Sequence, residues 1–168
     1  MSLYGGRRDA ALVARFNREL INRTITQQVG YYKFVLGKTE TNIYGESTGG
    51  KFYNTPLFLN CLVDRSDQTY NVEEKIADFS WGVNFYFFRQ DLVELNLVPE
   101  VGDIIFYYEG YYEVDNIISN ELFVGKNPEF TYDNNPTTAN LANFGLSISI
   151  KCATHYIPAD RVQISRER

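Results

Sequence analysis

The chain has 168 residues and a net charge of −5, with 44% hydrophobic and 15% aromatic side chains. That length suits one domain with an appended arm, and the apolar share can fill a core. The acidic balance argues against a general nucleic-acid binder, which needs a basic surface to release counterions from phosphates; a surface that DNA merely slides past stays open.

In chain order, residues 1–30 are predicted to form an N-terminal arm and helix. Gly5-Gly6 and Arg7-Arg8 make the arm, and Asp9 is placed to cap the helix. Val13, Phe16 and Leu20, with Leu12, Ile21 and Ile25 beside them, recur at helical spacing. Arg15, Arg18, Glu19 and Arg23 cover the other face, and Gly30 is expected to stop the helix. Its apolar stripe must bury against the rest of the chain or against a neighbouring subunit.

Residues 31–157 read as a mainly β domain, a small antiparallel β-barrel or sandwich, with long loops at 37–51 and 131–143. Tyr31–Leu36 is strand-like or an extended lead-out. Leu57–Val63 is apolar on both faces, and Pro56 suits a strand start. Arg65–Lys75 reads as a charged connection, and Phe79–Arg89 as an aromatic strand. Gln90–Leu97 is a short helix that Asp91 can cap and Val98-Pro99 ends. After a Gly102-Asp103 turn, Ile104–Ile117 forms a tight aromatic hairpin, and Glu121–Lys126 another short strand. In Leu146–Tyr156, Ile148, Ile150, Cys152 and Tyr156 share one face, while Ser147, Ser149, Lys151 and His155 share the other. Residues 158–168 form a charged C-terminal tail.

The residue types that carry chemistry are sparse. His155 is the single histidine and no CxxC or HxxxH spacing occurs, so a transition-metal site is not expected. A strand histidine beside Lys151 is a better reading than a catalytic base. Cys61 and Cys152 lie in apolar stretches and read as two buried, reduced thiols. Asp64, Asp67, Glu73, Glu74 and Asp78 gather in one segment but match no calcium-loop spacing; a solvated connection is favoured over a metal-dependent nuclease. Gly5-Gly6 and Gly49-Gly50 lack the Gly-Lys-Ser/Thr of a phosphate loop. The start of the chain has no apolar signal-peptide region, and no apolar run approaches the roughly 20 residues of a membrane span. No catalytic residue, cofactor, metal or membrane is therefore expected. Interface residues are expected on the loops and arm: Arg7, Arg8 and Arg15, then Tyr44, Glu46 and Lys51, then Asn134, Asn135 and Pro136.

The succession of an amphipathic N-terminal helix, Asn42-Ile43-Tyr44-Gly45-Glu46-Ser47, Phe52-Tyr53 leading into Leu57–Val63, Asp91–Asn96, Pro99–Ile105 and Tyr112-Glu113-Val114 resembles one family. It is similar to the neck, or head-completion, proteins of T-even-like contractile-tailed bacteriophages and their cyanophage relatives, over most of residues 7–157. The resemblance implies a non-enzymatic structural virion protein at the head–tail junction, assembled in the host cytoplasm. It implies a homo-oligomeric ring, usually a hexamer, that closes the DNA-filled head below the portal and its adaptor and offers a docking surface to the tail. The implied partners are further copies of the chain, the portal-side adaptor, the tail terminator and tail-tube proteins. Genomic DNA would pass through without sequence-specific contact. A tail terminator or baseplate component is the alternative structural reading.

Overall fold

Alternation of inward apolar and outward polar residues allows a sheet to close on itself, and here it does. In a computed structural model, described for residues 7–39, 51–65, 69–73, 76–80, 82–119, 148–159 and 162, six strands form a closed antiparallel barrel. These are β1 (Gln28–Tyr32), β2 (Leu57–Arg65), β5 (Gly82–Phe88), β6 (Ile104–Tyr107), β7 (Gly110–Ile118) and β8 (Ser149–Ile157), paired in the order β1-β2-β5-β8-β7-β6. Closure falls between β1 and β6, where Tyr31 pairs with Ile105. Between β2 and β5, strands β3 (Thr69–Glu73) and β4 (Ile76–Ser80) make a separate two-stranded ribbon. The expected charged connection thus contains a strand; the acids around it mask the alternation of Tyr70 and Val72 in the sequence.

The inward rows meet in one core. Val29 and Tyr31 of β1, Leu59 and Cys61 of β2, and Val83, Phe85 and Phe87 of β5 are all buried there, facing Ile105, Tyr112, Val114, Ile150 and Cys152. Tyr31 stands edge-on to Phe87 with ring centroids 5.9 Å apart, and Phe85 to Tyr112 at 5.8 Å, the geometry that ring quadrupoles favour. In β8, Ile150 and Cys152 point inward while Lys151 and His155 do not, as the alternation predicts.

Helix α1 (Arg7–Glu19) runs into a π-helical turn, Leu20–Ile25. It ends at Thr26, whose left-handed backbone (φ 49°) lets its N–H bond back to the Ile21 carbonyl at 3.0 Å. Gly30, expected to end this helix, lies inside β1 instead. It pairs with Phe58 of β2 and Phe106 of β6, and a Cβ there would meet both side chains at ordinary contact distance.

Helix α2 (Arg89–Glu94) begins one residue earlier than expected, with Phe88 at the N-cap position and no side-chain cap. Asp91 does not cap; it sits in the first turn, where the helix dipole favours a carboxylate. The C-terminus is a Schellman motif. Asn96 takes a positive φ of 51°, its N–H reaches the Val93 carbonyl at 3.0 Å, and that of Leu97 reaches the Leu92 carbonyl at 2.9 Å. Leu92 and Leu97, the pair this motif brings together, both enter the barrel core.

The β6–β7 hairpin turns on Tyr108 and Glu109, both with positive φ, the pattern of a type I′ turn whose twist suits paired strands. β7 carries a bulge between Val114 and Asn116 in its pairing with β8. The extra residue, Asp115, comes to 2.7 Å from His155 Nδ1. The expected strand Glu121–Lys126 and the loop 131–143 lie outside the described residues.

Burial pushes the thiols of Cys61 and Cys152 up from 9.0 to about 12. Both are free and buried. In the folded protein they are expected to resist alkylation at pH 8, titrating only with denaturant. Because their folded values lie above the unfolded one, their contribution to stability is full below pH 9 and is lost as pH rises from 9 to about 12. Urea midpoints measured across that interval should fall, and Cys→Ser variants should flatten the fall.

Candidate assembly surfaces

The best-defined polar site is built around Asp103. Gly102 takes a φ of 91°, a backbone conformation open to glycine, and so delivers Asp103 into the barrel at the start of β6. Asp103 is 0% exposed. It accepts hydrogen bonds from the Tyr31 hydroxyl at 2.5 Å, the backbone N–H of Glu100 at 2.7 Å and of Phe34 at 2.8 Å, and the Lys33 ammonium at 3.1 Å. Lys33 also reaches Glu100 at 2.8 Å and the Val98 carbonyl at 2.8 Å. Burial, then the adjacent Asp103 charge and hydrogen bond, push the Tyr31 hydroxyl far above its ordinary value, so it stays a proton donor. The arrangement ties β1 to the segment before β6; it presents no nucleophile and no open coordination position.

Above this knot lies an open cleft of about 370 Å³. Tyr31, Lys33 and Leu97 form part of its lining with Leu57, Leu95 and Val98, and the last three are exposed. Two clusters beside it each hold two carboxylates against one cation. One is Glu100 and Asp103 around Lys33. The other is Asp91 and Glu94 around Arg18, at 3.3 Å and 2.9 Å.

The second surface is α1. Its expected apolar stripe divides in two. Ile21 is buried toward the barrel and Val13 is half-buried, while Leu12, Phe16 and Leu20 are 53%, 63% and 43% exposed. The latter three recur every four residues and so share one face. On the barrel side the contacts are polar: Asn22 donates to Asp91 at 2.9 Å, Asn60 donates to Asn22 at 3.1 Å, and Arg18 pairs with α2. A third surface is an outer aromatic row, with Phe58 exposed and Phe106 5.1 Å from Tyr111.

Of the interface residues expected from sequence, Arg15 is exposed on α1. Arg7 and Arg8 open that helix, but their side chains lie outside the described residues. Lys51 is exposed and pairs with Glu113 of β7 at 2.8 Å. It thereby fastens one root of the 37–51 loop, which is further closed by the Phe34–Tyr53 bridge and a Val35 N–H to Phe52 carbonyl bond at 3.0 Å. Tyr44, Glu46, Asn134, Asn135 and Pro136 lie outside the described residues. The structure adds Leu95, Val98, Lys33 and Asp103. Their only sequence signal is the Gly-Asp turn after a helix stop, which marks a turn and not what it binds.

No family model matches the chain, and no curated protein matches it.

Asp103→Ala should destabilise the protein by about 3–5 kcal/mol, since it strands buried donors and unpairs Lys33. Tyr31→Phe should cost about 1.5–3 kcal/mol, the worth of one hydrogen bond to a charged group, and Lys51→Ala at most about 1 kcal/mol, as for an exposed pair. Urea unfolding of the three variants checks this order.

Proposed function

We propose that the chain is a structural protein of a phage neck, forming a homo-oligomeric ring, a hexamer, that closes the DNA-filled head below the portal and its adaptor and receives the tail. The observation that carries the reading is the outward face of α1: Leu12, Phe16 and Leu20 stand in solvent in the single chain. A soluble protein rarely leaves such a continuous apolar stripe without a partner. The barrel supports the same reading in another way. It is closed, so the barrel offers no free strand edge and copies that meet on it do so through side-chain surfaces. The resemblance of the order of segments to the neck family favours this assembly among structural roles. An acidic chain suits a channel through which DNA passes without being gripped.

Native mass spectrometry of the full chain, alone and with portal-side partners, should show a closed homo-oligomer. Monomer under every condition would overturn the reading. Recovery of the protein from isolated tails and its absence from tailless heads would assign it instead to the tail terminator or baseplate.

A further inference from the structure

We propose that the outward stripe of α1 from one copy seats in the Leu57–Leu95–Val98 cleft of a second copy, a head-to-tail contact; the inference rests on the reading that the chain assembles with itself. Three observations meet in it. The stripe is convex and apolar, with Phe16 at its centre and the most exposed of its three members. The cleft is concave, and its volume of about 370 Å³ holds one aromatic side chain with parts of its aliphatic neighbours. Its exposed lining is an aliphatic floor of Leu57, Leu95 and Val98 with a polar edge of Asn54, Thr55 and Asn96.

Charge is complementary as well. At helical spacing, Arg15 and Arg23 border the stripe with Glu19 between them, a net positive margin, and all three are exposed. Two exposed carboxylates bracket the lining segment Leu95–Val98 in sequence, Glu94 and Glu100, held so far by Arg18 and Lys33. An arginine arriving from another copy would find them as partners.

A stripe seated in this cleft belongs to the α1 of another molecule. Within one copy, α1 contributes no residue to the cleft lining. Arg18, on the side of the helix away from Phe16, holds α1 against α2 and so keeps the stripe turned outward. Stripe and cleft are different surfaces, so the contact is heterologous: each copy gives one and receives one. Repetition then closes a ring when the rotation permits.

Two full-length chains test it, one with Glu19→Cys beside the stripe and one with Thr55→Cys in the cleft wall. Both positions are exposed, and neither is part of the apolar contact itself. The native thiols Cys61 and Cys152 are buried and do not compete. Under mild oxidation, a disulfide-linked dimer should form in the mixture and not in either chain alone. Adding Phe16→Ser to the first chain should abolish it, and Arg15→Glu with Arg23→Glu should weaken self-association about tenfold at low salt and less at high salt. Cross-linking of the Glu19→Cys chain with itself would show helix pairing with helix and overturn the proposal. Self-association by sedimentation without the mixed cross-link would overturn it while leaving the ring reading intact. A wild-type chain that stays monomeric both alone and with portal-side partners would overturn both.

Discussion

Everything in this fold hangs on the seam between β1 and β6. These strands are far apart in sequence, and pairing them is what turns an open sheet into a barrel. Asp103, directly before β6, is held by Tyr31 of β1 and by Lys33 and Phe34 just after it. A carboxylate with no solvent access is costly unless its lone pairs are filled, and here four donors converge on it. That makes the site selective. A register slip of one residue would turn Tyr31 outward, remove its hydroxyl from Asp103 and leave buried charge unpaired. The apolar rows would tolerate several near-equivalent pairings; the carboxylate accepts one. Gly102 belongs to the same device, because its left-handed backbone aims Asp103 inward.

With the seam latched, the barrel offers a rigid exterior to which other parts are rooted. The 37–51 loop departs from and returns to a fixed base through Phe34, Tyr53 and the Lys51–Glu113 pair. Arg65 stacks over Tyr107 and Tyr108 at 5.5 Å and 5.8 Å, anchoring the β6–β7 tip to the end of β2. The bulge at Asp115 re-aims one carboxylate toward His155. Each is a local polar or aromatic fastening on a scaffold whose own cohesion comes from the core.

The legibility of the chain tracks the range of its interactions. Apolar and aromatic runs reveal β2 and β5, period-two alternation reveals β8, and the paired tyrosines with Gly110 reveal the β6–β7 hairpin, since each is written within a few consecutive residues. Gly30 misleads because a glycine after a helical run is ordinarily a stop; here it sits within β1 between Phe58 and Phe106, which lie on strands that sequence cannot place beside it. The ribbon β3–β4 is hidden by surrounding charge. Asp103 is visible as a turn residue, but Tyr31 and Lys33, about seventy positions earlier, carry no local sign that they meet it. The cleft is legible only in three dimensions, since its walls come from β1, β2 and the segment after α2.

Helix α1 shows why amphipathic periodicity identifies a helix without saying what it faces. Periodicity alone implies one apolar side, buried. The helix instead divides its apolar residues, giving Ile21 to the barrel and Leu12, Phe16 and Leu20 to solvent. Its attachment to the body relies on Asn22, Arg18 and their partners on α2 and β2. Exposed ion pairs contribute little stability but fix orientation, whereas burying large side chains contributes about 1.5–3 kcal/mol each. Rolling the helix to bring Phe16 and Leu20 to the barrel would lift Ile21 out of it and break the Asn22 and Arg18 contacts, so the buried isoleucine and the polar bonds together set which face is outward.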